Sequence, residues 1–388
     1  MKKSSGFRRT LHDRFFGTKW AVLLLASVLL VFFAQTVDNK SLTQSAIVIG
    51  LGIDRTDDAF TVSTQSVVIT GGAGESQSSQ SYAVHTADGR TISEALDKIS
   101  QKMGLLVSLS HCNVLVLSQE ALRSDHALLF APLTGTYALP EQAVVVASAD
   151  TPSKVLSART ATTVASPYYI QASLLQNLGG DGLTPVTVKD FLAHSLSRSG
   201  AVCLPYVEIS EMPDQPQTPD GESEGVSEFF LNKNLVVCKD SSFVIGEELA
   251  QAANLFNRRD TLGKLSPVLP TGEAVEFRVI DVRQSKKADG MSVKCKIEIA
   301  VSFMEAQNVA NGGKFTPSSQ VVSAAAKELE KEISDNLAEC YRLSVERNAD
   351  FLRLQNEVYK KAGRELPEDC LADISFGCEV KVTVKDSG

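Results

Sequence analysis

Tryptophan is nearly absent from this 388-residue chain, with Trp20 its one copy. Histidine is scarce too: His12, His85, His111, His126 and His194 lie far apart. Their scatter contains no HExxH and no other zinc spacing, so no metal or cofactor site is read from it. Glycine-rich phosphate loops, GxSxG elbows and CxxC pairs are also missing. No basic stripe interleaved with aromatics occurs beyond the first residues, and a net charge of −8 argues against nucleic acid as a partner. The seven cysteines (Cys112, Cys203, Cys238, Cys295, Cys340, Cys370, Cys378) are odd in number and widely spaced. They read as buried small apolar side chains rather than a disulfide framework, with Cys370–Cys378 the one pairing that the pattern suggests.

What the chain does have is a single long apolar run, Trp20–Ala34, uncharged onward to Val37. Between Lys19 and Asp38 it offers about 18 positions, or roughly 27 Å of helix, which is enough to span a bilayer. No polar face appears at a helical period, which argues against a buried core helix. Signal-peptide cleavage after Ala34 would put bulky Phe32 where a small residue is wanted, so an uncleaved anchor is expected. Lys2, Lys3, Arg8, Arg9, Arg14 and Lys19 precede the run. The positive-inside rule then keeps the N-terminus cytoplasmic and exports everything after Val37.

Past the anchor, Ser45–Arg55 and Phe60–Val68 read as two strands joined by the acidic turn Asp57-Asp58. Gly50 and Gly52 mimic a dinucleotide loop, but Arg55 stands where the third glycine belongs and a strand follows instead of a helix. Thr91 and Glu94 predict a capping box for a helix that Gly104 closes. Ser110-His111-Cys112 separates two short strands, and neighbours on extended backbone point apart, so a catalytic dyad is not expected there. Ser166-Pro167 predicts a helix start with serine as the cap, and Thr187-Val-Lys-Asp190 a second capping box. Alternation over Val293–Val301 predicts a sheet with one wet face. Val322 through Tyr341 carry a helical apolar stripe that continues through Phe351, Leu354 and Val358 to Gly363.

The pattern predicts an α+β fold: a transmembrane helix, then a multi-lobed ectodomain of mixed or antiparallel sheets with packed helices, the long ones in the C-terminal domain. The expected divisions are a cytoplasmic tail (1–19), anchor (20–37), N-terminal domain (38–211), proline-rich acidic linker (212–227) and C-terminal domain (228–388). A further division near 180 is expected at Gly179–Gly182.

The run Ala46-Ile-Val-Ile-Gly-Leu-Gly-Ile-Asp54, with a strand after an acidic turn, resembles the opening of the spore germinant-receptor C-subunit family, Ger(x)C. Similar segments follow in the family's order: Thr91–Leu96, Ser110-His111 before Asn113–Leu117, Val186–Leu192, Pro205–Glu208, Asn234–Phe256, Glu328–Tyr341 and Glu379–Val384. Family members are usually lipoproteins. Here no cysteine follows the apolar run and the family's late tryptophans are missing, so a divergent member with a transmembrane anchor in place of the lipid is expected. The resemblance implies a non-enzymatic subunit, without cofactor, on the outer face of the spore inner membrane. Its partners would be an A-type and a B-type polytopic subunit, the B-type taking the germinant. Candidate interaction or architectural positions are Gly50, Gly52, Asp54, His111, Asn113, Asp190 and Phe191. The structural reading of each is close backbone approach for the glycines, a turn for Asp54 and core packing for Phe191. A scaffold or ligand-binding module of another envelope complex, or an envelope hydrolase, are the competing readings.

Overall fold

The structure is a computed structural model that describes residues 23–28, 45–56, 58–70, 79–160, 165–176, 183, 185–211, 226–239, 241–257, 263–308, 313–314, 316–362, 367 and 370–385. Contacts divide the chain into Met1–Ala46 and Ile47–Gly388. In the first unit residues 23–28 are helical, and Leu23, Leu24, Leu25 and Val28 are exposed. Among the described residues no helix is long and apolar enough to cross a membrane, and the rest of the expected 20–37 span lies outside them.

The second unit is built on two sheets. The larger contains β1 (Ser45–Arg55), β2 (Phe60–Thr70), β3 (Ser79–Gly89), β4 (Leu106–Ser108), β5 (Val114–Ser118), β6 (Val144–Ser148), β7 (Val186–Thr187), β8 (Val202–Glu211), β9 (Ser227–Val237) and β10 (Ser242–Ile245). Its order is β10-β9-β8-β6-β5-β1-β2-β3, with β4 on β1 and β7 on β6. The centre is parallel (β1–β5, β5–β6, β6–β8) and the flanks are antiparallel. Every residue of β5 and β6 is buried, because helices cover both faces. Successive side chains part company accordingly. Leu115 and Leu117 join the core under helices α1 (Ile92–Met103), α3 (His126–Gly135) and α6 (Val188–Ser195), whereas Val114 and Val116 pack with α4 (Pro152–Ser157) and α5 (Ser166–Leu175). The short α2 (Gln119–Leu122) sits between β5 and α3.

The second sheet runs β11 (Lys264–Leu265), β12 (Glu273–Asp289), β13 (Ser292–Asn308), β14 (Ser375–Lys385). Val293, Cys295, Ile297, Ile299 and Val301 are buried while Lys294, Lys296 and Glu298 are exposed, the expected one-sided alternation. Helices α7 (Glu247–Asn257), α8 (Ser319–Glu346) and α9 (Leu354–Ala362) share the core on its inner face. The pairing is mixed rather than purely antiparallel: β13 and β14 run parallel. A parallel partner requires a crossover, and α8 and α9 form it.

Several local expectations are amended. The helix stripe is interrupted between Glu346 and Leu354, and its expected end, Gly363, lies outside the described residues. Helix α8 stops at Glu346, and Asn348 and Arg353 take positive φ of 48° and 59° before α9 starts. The cap of α5 is Ala165, and Ser166 lies inside the helix, donating its hydroxyl to the Leu156 carbonyl at 3.2 Å. Thr91 caps α1 and accepts from the Glu94 N–H, but the Glu94 carboxylate reaches back to the Arg90 N–H instead of to Thr91. The two strands expected at Phe229–Leu231 and Leu235–Lys239 are one, β9. Residues 212–225 lie outside the described ones. The strands on either side of them, β8 and β9, are antiparallel neighbours from Val202↔Val237 to Glu211↔Ser227, so one sheet runs across the expected linker. Cys370 points at the Gln355 side chain, 3.6 Å from Oε1, and Cys378 stands opposite Cys295, so the Cys370–Cys378 pairing is replaced by another neighbourhood.

Candidate functional site

Parallel strands begin side by side, and here the three central starts form a rim. The Asn113 N–H donates to the Ile49 carbonyl at 2.9 Å, and the Val144 N–H donates to the Asn113 carbonyl at 2.8 Å. Above this rim opens a pocket of about 340 Å³ lined by Ile49, His111, Asn113, Gln142, Tyr168 and Gln171 among others. The loop after β4 supplies His111 and Asn113, the turn before β6 supplies Gln142, and α5 supplies Tyr168 and Gln171. His111, Gln142 and Tyr168 are exposed, whereas Asn113 and Gln171 are half-buried. Desolvation pushes the Tyr168 phenol up from its ordinary value, with Tyr82 adding to the shift.

The lining mixes apolar Ile47, Ile49, Pro140 and Ala143 with polar side chains, and among the described residues it contains no Asp, Glu, Lys or Arg. It can donate and accept hydrogen bonds, but it supplies no paired charges for a carboxylate or ammonium. Nor does it assemble a nucleophile. The Ser110 hydroxyl is paired with Ser108 at 3.0 Å. The Cys112 thiol is turned into the core, donates to the Val114 carbonyl at 3.3 Å, and is pushed by burial up to about 12. Among the described residues no group of three or more His, Cys, Asp or Glu could hold a metal ion. The pocket also lies at the N-terminal ends of the parallel strands, opposite the edge where open α/β sheets bind nucleotides.

Of the seven residues singled out in the sequence, only His111 and Asn113 meet at this pocket. Gly50 and Gly52 sit under the helix starts: a Cβ on Gly50 would lie 2.4 Å from Pro167 Cγ, and one on Gly52 would lie 2.7 Å from Pro152 Cβ. Asp54 is at the far end of β1, where its Oδ1 accepts from the Arg55 N–H at 2.8 Å. Phe191 is fully buried, with its ring 5.0 Å from Phe130 and 4.9 Å from His126 between centroids. Asp190 completes the capping box of α6, accepting from the Thr187 N–H and hydroxyl while its own N–H donates to Thr187 Oγ1. Replacing Thr187 by alanine should lower unfolding free energy by about 1 kcal/mol, measured by urea titration. An unchanged midpoint would show that α6 holds without its cap.

A second polar cluster escaped sequence reasoning. Asp350, 1% exposed, accepts from Ser199 Oγ at 2.6 Å and from the Leu354 and Gln355 N–H groups at 2.8 Å each. Asn356 accepts from the Ser199 N–H at 3.1 Å and donates to Ser197 Oγ at 3.2 Å. His194 Nδ1 and Arg353 lie 3.1 Å apart, and Arg198 donates to the Pro367 carbonyl at 2.6 Å. The loop leaving α6 is thereby bound to the start of α9, tying the element before β8 to the crossover of the second sheet. The only advance signal was an aspartate shortly before the amphipathic stretch Leu354–Ala362.

The fold is a mixed α+β protein with a hydrogen-bonding pocket on its first sheet and a polar joint between the loop after α6 and the start of α9. Residues 38–209 match the family model described as the spore germination protein N-terminal domain. Over these residues the chain carries the N-terminal domain of the spore germination family, in keeping with the resemblance to the germinant-receptor C subunits, Ger(x)C. It is similar to spore germination protein KC of Bacillus subtilis (strain 168), at 30% identity over 111 residues, 27% of each chain. A second relative from that strain, the putative spore germination protein YfkR, is 27% identical over 103 residues, 25% of this chain and 27% of the other. These matches therefore span about a quarter of either relative's length. Among solved structures, the crystal structure of the GerBC protein aligns over 86% of this chain and 96% of its own, at 12% identity and a TM-score of 0.48.

Proposed function

We propose that this chain is the non-enzymatic C subunit of a spore germinant receptor, acting in receptor assembly and nutrient-triggered germination signalling. The observation that carries the reading is the match of residues 38–209 to the spore germination N-terminal domain. Both relatives are named as spore germination proteins, which agrees with it. The apolar run at 20–37 would anchor the chain with its N-terminus in the cytoplasm. The folded part would then stand on the outer face of the spore inner membrane, beside A-type and B-type polytopic subunits. A neutral hydrogen-bonding pocket suits contact with a partner's loop better than chemistry on a substrate, and His111 and Asn113 are the residues proposed to make that contact.

The test is affinity capture of the tagged full chain from detergent-solubilised spore inner membranes, read by mass spectrometry. Recovery of both polytopic subunits supports the reading. Recovery of the chain alone, with those subunits present in the input, would sink it and favour a scaffold of another envelope complex. In the same assay, His111→Ala with Asn113→Ala should reduce recovery of the partners at least several-fold while leaving the chain folded, since His111 is exposed and Asn113 half-buried.

A further inference from the structure

One row of side chains on the inner face of the second sheet is used neither by the pocket nor by the joint. Lys286 on β12 stands opposite Cys295 on β13, and Cys295 stands opposite Cys378 on β14. Registered partners share a face, so an amine and two thiols lie side by side across three strands. Cys295 is buried, whereas Lys286 and Cys378 are half-buried. The two thiols are cross-strand neighbours in register on adjacent parallel strands. The Lys286 ammonium lies 3.7 Å from the centroid of the Phe256 ring, beside the pair.

We propose that Cys295 and Cys378 are a redox-active dithiol that closes to a disulfide, stapling the last strand of the chain to its neighbour. Adjacent strands lie about 4.8 Å apart, inside the roughly 4.4–6.8 Å range of Cα separations that disulfides span. Both side chains leave the backbone toward the same side. Burial brings the Lys286 ammonium down to about 8. The neighbouring Cys378 thiol and then the nearby Lys286 charge draw the Cys295 thiol below its ordinary value, while Cys295 and burial raise Cys378. The amine beside the pair is placed to favour a thiolate during exchange.

The oxidant is an exchangeable small-molecule disulfide. One thiol of the pair attacks it and releases one donor thiol; the second attacks the mixed disulfide and releases the other. Two protein S–H bonds and one donor S–S bond break, and one protein S–S bond and two donor S–H bonds form. The closed loop from Cys295 to Cys378 encloses both α8 and α9. Oxidation would therefore resist peeling of β14 from the sheet.

The test uses the purified full chain in detergent, equilibrated with oxidised glutathione, quenched with N-ethylmaleimide under denaturation and digested without reductant. A Cys295–Cys378 cross-linked peptide is expected, with a melting temperature several degrees above that of the reduced protein. Lys286→Met should slow its formation several-fold near pH 7, because the thiolate loses its cation. Cys378→Ala and Cys378→Ser should each abolish the cross-link and the melting shift while melting like the reduced wild type. Alkylation of both thiols after exposure to the oxidant would overturn the proposal. So would a cross-link from either to Cys203, Cys340 or Cys370.

Discussion

Gly50→Val is expected to destabilise the fold by about 3 kcal/mol, near the upper end of what overpacking a tight core costs. Valine is favoured in strands, but that preference spans only about 1 kcal/mol and is overwhelmed here. A Cβ at this position would lie 2.4 Å from Pro167 Cγ, 3.2 Å from Pro167 Cβ and 2.9 Å from Leu156 Cδ2. The proline ring is locked at the start of α5 and cannot rotate aside, and Leu156 is fully buried. Helices α4 and α5 would have to lift from β1, opening the core that Val114, Val116, Val144 and Val146 share with them. Gly52→Ala should cost less, about 2 kcal/mol, although Pro152 contributes a backbone carbon at 3.3 Å as well as its Cβ at 2.7 Å. Urea unfolding of both variants checks this. If Gly50→Val unfolds at the wild-type midpoint, the close packing of α5 on β1 is wrong.

The second large effect concerns Asp350. Asp350→Ala should lower stability by about 3 kcal/mol, because Ser199 Oγ and two backbone N–H groups lose their acceptor in a buried place. The variant also loosens the tie between the loop after α6 and the start of α9. Hydrogen exchange should therefore rise at Leu354 and Gln355 before it rises in β12 or β13. Equal exchange across the second lobe would argue against a localised joint.

Burial pushes the Asp350 carboxyl above its ordinary value of 3.8, and the hydrogen bonds it accepts from Ser199, Gln355 and Leu354 oppose that without cancelling it. A carboxyl raised in the folded state keeps its proton to higher pH than in the unfolded chain. Its contribution to stability is therefore greatest below the unfolded value. That contribution falls as pH rises through the window between 3.8 and the raised folded value. Asp350→Asn should remove this falling segment from the stability–pH curve while weakening the fold less than alanine does. A curve of unchanged shape in the asparagine variant would assign the acid-side dependence to other carboxylates.

Local chemistry was legible from the residues alone. Thr91 and Gly104 bracket α1, with Gly104 left-handed at φ 66°, because capping and a left-handed turn are demanded by the helix itself. The alternation of β13 and the apolar stripe of Ala325, Leu329, Ile333 and Leu337 were readable for the same reason: periodicity reports which face of an element avoids water. The glycines of β1 suggested close approach, but not that proline-headed helices would be what approaches. His111 and Asn113 were visible as candidates, whereas Tyr168, Gln142 and Gln171 were not. They reach the pocket from segments 30 to 60 positions away, through the register of β1, β5 and β6.

Pairing between distant segments is where sequence reasoning stopped. An acidic, proline-rich stretch between 212 and 225 looks like a boundary, yet β8 and β9 on either side of it are antiparallel neighbours in one sheet, a pairing that composition does not encode. The long stripe after residue 319 gave no sign of its break, because Asn348 and Arg353 turn the chain only once Asp350 has Ser199 and the first N–H groups of α9 to bind. Likewise the last strand shows one apolar face without saying which strand will lie beside it. Composition and periodicity determined an α+β chain and the faces on which its main helices and strands avoid water. Tertiary packing decided that β14 runs parallel to β13, that Cys378 faces Cys295, and that two lobes meet at Asp350, because those contacts depend on which buried faces find each other.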